Sequence, residues 1–185
     1  MNLYKRHYVG NKWREPSERI EVTVPQKQER AWNKVSSINS ERVSEITEEV
    51  MCWRKANAIH KWFVDNVQHG EDDCREHDVS RSQLVILMEL CKKVLDSCEL
   101  VDAQIVNGYR FTPDGMKVAI MVDGKKIKDA SVANELLPTY AGSFFGSYDY
   151  DQYYLEDIQQ TYDGLKAILA ESLDEGDNFV YSSSW

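Results

Sequence analysis

The chain has 185 residues, 42% of them hydrophobic, and a formal net charge of -9. That length suits one domain with a buried core, and that charge argues against a general nucleic-acid coating role, which needs a basic footprint. No apolar run approaches the roughly 18 residues of a membrane span, and no apolar segment follows the early cations as in a secretory leader. A soluble, cytoplasmic protein is expected.

Along the chain, Ile20, Val22 and Val24 alternate with polar residues across Arg19–Val24, the pattern of a half-buried strand ended by Pro25. Residues 25–41 are polar apart from Trp32, Val35 and Ile38, and read as a surface excursion with a helical turn. Over 42–53, Ile46, Val50 and Trp53 fit a helix, but Val43, Ile46, Thr47 and Val50 are β-formers, so a strand leading into a helix is expected. That helix, from about Arg54 to Gln68, puts Ile59, Phe63 and Val67 on one face and stops at Gly70. Glu71-Asp72-Asp73-Cys74 follows as an acidic loop.

Ser80-Arg-Ser-Gln83 is a capping box, and the stripe Leu84, Leu87, Met88, Cys91, Val94, Leu95 and Cys98 behind it predicts a second helix. Over 104–128, Asn107-Gly108, Pro113-Asp114-Gly115 and Asp123-Gly124 punctuate short apolar runs, as in an excursion of β-hairpins. Ser131–Leu136 reads as a short helix before Pro138. Asp151 is a cap for a long helix burying Tyr154, Leu155, Ile158, Tyr162, Leu165, Ile168 and Leu169, and Asp177–Tyr181 reads as a last strand. Strands at both ends with two or three long helices between them predict an α+β fold. One domain over 1–185 is expected, with a small antiparallel sheet packed on the helices. Residues 1–41 would form a variable N-terminal strand and excursion, and 104–128 a hairpin excursion.

Chemistry concentrates between Trp53 and Phe63. Arg54 offers a planar fork, Lys55 a point charge, and Asn57 and His60 directional hydrogen bonds, while Trp53 would stack on a flat ring. Cations in a first helical turn oppose the macrodipole, and an anion bound there would compensate. The competing reading makes both tryptophans core anchors and leaves Arg54 and Lys55 solvated. A second candidate is the loop 138–150, where Gly142 and Gly146 flank Phe144 and Phe145 among Tyr140, Tyr148 and Tyr150. Glycines beside aromatics let the backbone approach a ligand while rings cover a base or sugar; the competing reading is a buried aromatic turn. Together these features suit a small anionic, nucleotide-like ligand, although neither a dinucleotide fingerprint nor a Walker loop is present.

An enzyme would use His60 or His69 as a general base with Asp72 or Asp73, but no nucleophile motif occurs, and no catalytic residue is assigned. Cys74 and His77 have a ligand spacing without a second pair at zinc-finger distance. Cys91 and Cys98 lie two helical turns apart, too far to bridge. Reduced thiols are therefore expected, with no metal and no cofactor. From Ser147 onward the only base is Lys166, which reads as a solvated acidic face or as a dock for a basic host protein.

Trp53–Val64 (WRKANAIHKWFV), Asp72–Cys74 (DDC), Leu136–Thr139 (LLPT), the FFGS and YD-x-YY motifs within 144–154, and the terminal Ser-Ser-Trp together resemble a family of small, mostly uncharacterised proteins encoded by bacteriophages and prophages. The likeness covers roughly residues 42–100 and 131–185. It implies a phage or prophage origin and a setting in the host cytoplasm, and carries no catalytic assignment. The leading expectation is a non-enzymatic phage accessory protein that binds a nucleotide-like ligand, such as a host defence signalling nucleotide. Its site would comprise Trp53, Arg54, Lys55, Asn57, His60, Tyr140, Phe144 and Tyr148. The alternatives are an acidic protein-interaction inhibitor of a host factor and a hydrolase or transferase using His60 with Asp72 or Asp73. A homo-oligomer stays open, because ligand sites are often completed across subunit interfaces.

Overall fold

The computed structural model describes residues 1–22, 38–140, 147–174 and 176–184. Four strands form an antiparallel sheet: β1 (Asn2–Tyr8), β2 (Glu45–Cys52), β3 (His77–Val79) and β6 (Asn178–Ser182), in the order β2-β1-β6-β3. β1 pairs with β2 from Asn2↔Cys52 to Tyr8↔Glu45, with a bulge between Leu3 and Tyr4, and with β6 from Asn2↔Ser182 to Arg6↔Asn178. The helices are α1 (Asn57–Asn66), α2 (Arg81–Ser97), α3 (Ser131–Leu136) and α4 (Gln152–Ala170), and β4 (Leu100–Phe111) pairs with β5 (Lys117–Ile127) as a separate two-stranded ribbon. This is the α+β architecture expected from the sequence.

The N-terminal strand is not the one expected. Ile20 and Val22 lie outside any strand, and Val24 falls outside the described residues. Side chains satisfy the backbone there in place of a ladder. Asn11 accepts from Ile20 N at 3.0 Å and donates to Ile20 O at 2.7 Å, and Val22 N donates to Ser40 Oγ at 3.3 Å. β1 instead buries Leu3 and Lys5 on one face, in keeping with the period of two. Lys5 is a cation in that buried row because its Nζ lies 3.4 Å from Glu171 and 4.0 Å from Asp177.

α1 starts three residues later than its apolar spacing suggests, because Lys55 adopts a left-handed φ of 67° and interrupts the helical backbone. Arg54 and Lys55 thus precede the helix rather than occupying its first turn. Ala56 stands at the N-cap with no side-chain hydrogen bond. At the other end Gly70, at φ 83°, donates its N–H to Val64 O at 2.8 Å and closes the helix as expected.

The remaining helices follow the sequence closely. Ser80 Oγ accepts from Gln83 N while Gln83 Oε1 accepts from Ser80 N, completing the capping box of α2. Ser80→Ala should therefore cost about 1 kcal/mol in urea unfolding. α2 packs on α4, burying Leu84, Leu87, Cys91 and Val94 against Tyr154, Ile158, Leu165 and Ile168. β2 meets α4 at Gly164, where a Cβ would lie 2.5 Å from Met51 Cε.

The excursion is one long hairpin rather than several short ones. Pro113-Asp114-Gly115 is its turn, with Thr112 N donating to Met116 O. Asn107-Gly108 marks a bulge where the register shifts between Val106 and Tyr109, and Asp123-Gly124 lies within β5. Paired strands absorb both Gly-containing dipeptides because β4 and β5 are each long enough to carry the ladder through them. The root docks on the start of α4, where Ile127 N donates to Tyr150 O and Lys125 N to Gln152 Oε1, and Ile105 and Ile127 are buried. Near the tip Phe111 is 74% exposed.

Candidate functional site

A cleft of about 620 Å³ opens between the β2–α1 connection, the hairpin and the N-terminal half of α4. Its size is ordinary for a small-molecule site. Arg54 and Lys55 line one side, and Lys117 reaches the same cleft from β5. Arg54 and Lys55 are exposed, and among the described residues neither is held in an ion pair. The backbone of Ala56, Asn57 and Ala58 at the uncapped start of α1 lies beside them. Lys117 Nζ sits 4.0 Å over the Tyr109 ring, and Tyr148 and Tyr153 add aromatic surface.

The cleft also has acidic lining. Asp151, Glu156 and Asp157 line the cleft from α4 and its cap. Asp151 Oδ1 accepts from Tyr153 N at 2.9 Å and Tyr154 N at 3.1 Å, which makes it the helix cap expected from the sequence. Burial is the main influence on Asp151 and raises its pKa, with these two N–H groups acting in the opposite sense. Burial, reinforced by Glu156 and Asp151, pushes the Asp157 carboxyl up to about 7.

The predicted site residues separate into three groups. Arg54, Lys55, Asn57 and Tyr148 come together at the cleft. Trp53 does not serve as a stacking surface: it is 2% exposed, donates its indole N–H to Thr161 Oγ1 at 2.8 Å and packs at 5.6 Å on Phe63. It is a core anchor. Asn57 lines the cleft but spends its amide on the neighbouring loop, donating to Ser147 O and accepting from Tyr140 N. It fixes both flanks of that loop rather than offering a free amide. Tyr140 lies 6.4 Å from His60, with Lys61 Nζ 5.5 Å over its ring. Phe144 and its neighbours through 146 are outside the described residues.

His60 is fully buried behind this cleft rather than in it. Its Nδ1 lies 2.7 Å from Tyr181 Oη and its Nε2 3.1 Å from Asp72 Oδ1, so it bridges α1, β6 and the acidic loop. Asp73 belongs elsewhere. It pairs with His77 at 2.8 Å and with Arg75 at 2.6 Å, and these contacts, the His77 hydrogen bond first, hold its pKa well below the usual carboxylate range. The cysteines are free thiols. Cys91 is buried, and burial pushes its thiol up to about 12. Among the described residues no group of three or more His, Cys, Asp or Glu is placed to hold a metal ion, and no helix is long and apolar enough to cross a membrane.

Sequence reasoning did not place Lys117, Tyr109 or Asp157 at the ligand site, reading Asp157 only as part of the acidic C-terminal face. For Asp157 a signal was present, because Tyr154, Asp157, Ile158 and Thr161 share the i, i+3, i+4, i+7 spacing of a buried stripe. For Lys117 and Tyr109 the signal lay in a hairpin whose direction is set by its root. No protein-family model, curated protein or solved structure matches the chain in comparisons with known proteins.

Proposed function

We propose that the chain binds a small anionic, nucleotide-like ligand in this cleft, its anionic end on Arg54, Lys55 and Lys117 and its flat ring among Tyr109, Tyr148 and Tyr153. The observation that carries the reading is that three cations from two elements distant in sequence line one cleft with the uncapped start of α1, in a protein of net charge -9. An anion there would satisfy open backbone N–H groups and relieve the mutual repulsion of those side chains. The family resemblance adds a setting, that of a phage accessory protein acting in the host cytoplasm, and within that setting the ligand we propose is a host signalling nucleotide. The role is capture rather than turnover.

Calorimetry against a panel of mono-, di- and cyclic nucleotides tests this. At least one should bind. Arg54→Ala combined with Lys55→Ala should weaken it at least tenfold, and binding should weaken as salt rises because both side chains are exposed. Binding by no member of the panel, or unchanged affinity in the double variant, would overturn the reading.

A further inference from the structure

We propose that the acidic lining of the cleft is a subsite for a pair of adjacent hydrogen-bond donors on the ligand, with Asp157 as the reading residue. This rests on the nucleotide reading and concerns the part of the ligand other than its phosphate. Three carboxyl groups line the cleft from α4 and its cap: Asp151, which caps the helix, the exposed Glu156, and Asp157. Asp151 is 1% exposed, and its Oδ2 accepts no hydrogen bond among the described residues while Oδ1 caps the helix. Asp157 is half-buried six residues, nearly two turns, further along, and no hydrogen bond or ion pair reaches its carboxyl among the described residues. Leaving a buried acceptor unmet is costly, on the order of 1–3 kcal/mol. A ligand that brings donors would remove that cost.

The chemistry narrows what those donors are. Above about pH 7 the Asp157 carboxyl is ionised and only accepts, so there it matches a group that presents two neighbouring donors. Two parts of a nucleotide do so: the N1–H and N2–H₂ edge of guanine, and the cis-diol of ribose. Adenine and cytosine pair a donor with a ring nitrogen acceptor on the corresponding edge, which a carboxylate repels. Uracil offers one N–H between two carbonyls. The predicted ligand class is thus a ribonucleotide held through its diol or a guanine nucleotide held through its base, with the cations of the same cleft taking the phosphate.

The test compares wild type with Asp157→Asn by calorimetry at pH 8, where the carboxyl is ionised, using guanosine, inosine, adenosine and 2′-deoxyguanosine 5′-monophosphates, with pyrophosphate reporting the cations alone. Removing a negative charge should by itself strengthen all anions alike, so the readout is each nucleotide's affinity relative to pyrophosphate. We expect Asp157→Asn to lower that ratio at least tenfold for guanosine monophosphate. If guanine is read, inosine, which lacks the 2-amino group, binds weakly to wild type and 2′-deoxyguanosine binds well. If the diol is read, the deoxynucleotide alone is weak. An unchanged ratio in Asp157→Asn, with binding still lost in the Arg54 and Lys55 double variant, would overturn the acidic subsite and leave the nucleotide reading standing. Binding by none of these probes would overturn both.

Discussion

Phe63→Ala is expected to cost roughly 3–5 kcal/mol, in the range for deleting a buried aromatic ring, and so to remove much of the about 5–15 kcal/mol that holds a typical domain folded. Phe63 is fully buried. Its ring stacks on Tyr181 at 3.9 Å and 5° between planes, takes Trp62 edge-on at 5.2 Å and meets Trp53 at 5.6 Å. These contacts join α1 to β6 and to the end of β2. Without that ring, the cavity opens beneath the Tyr181 that contacts His60 and the Trp53 that contacts Thr161. Urea unfolding followed by tryptophan fluorescence measures the loss. Phe63→Leu, which keeps most of the volume, should cost distinctly less; equal costs would mean that the stacking geometry, rather than the cavity, dominates.

Asp157→Asn should stabilise the protein by roughly 2 kcal/mol at pH 8, after allowance for the water that still reaches this half-buried group. In the folded chain the carboxyl titrates near 7, whereas an unfolded aspartate titrates near 3.9. Between about pH 4 and 7 the native state therefore holds a proton that the unfolded chain has lost. Stability contributed by that proton is complete below about pH 4 and falls as pH rises through 7. Denaturant midpoints across pH 4 to 8 should fall with pH in wild type and fall less in the variant. A wild-type profile matched by the variant would show that Asp157 carries no such penalty. Because the substitution leaves the helix cap at Asp151 in place, loss of nucleotide selectivity in the same variant cannot be put down to unfolding.

The elements legible in the sequence are those decided by near neighbours. Ser80 with Gln83, Asp151 with the N–H groups just after it, and the stripes of α2 and α4 need only local geometry. β1 was not legible because Tyr4-Lys5-Arg6-His7 reads as a polar run, and the burial of Lys5 depends on Glu171, Ser172 O and Asp177, groups from the far end of the chain. Likewise, Ile20 and Val22 have a strand's pattern and no strand's partners. At the site, the cations before α1 were visible as an oddity in an acidic protein. The acidic lining of the same cleft was not, because it depends on where α4 lies relative to β2. Trp53 misled for the opposite reason: its place beside Arg54 in sequence says nothing of the Thr161 hydroxyl that claims it.

The strand order has a kinetic meaning. β1 and β3 both pair with β6, and Leu3 faces Tyr181 across nearly the whole chain. Closing so long a loop loses chain entropy before any ladder hydrogen bond returns it. The β1–β2 pair and the α2–α4 pair span shorter separations and form first, leaving one edge of β1 and the aromatic face of α1 without their partner until β6 arrives. Refolding should thus be slow for a chain with this much helix, and recovery of the Trp53–Trp62–Tyr181 cluster should lag behind the gain of helix.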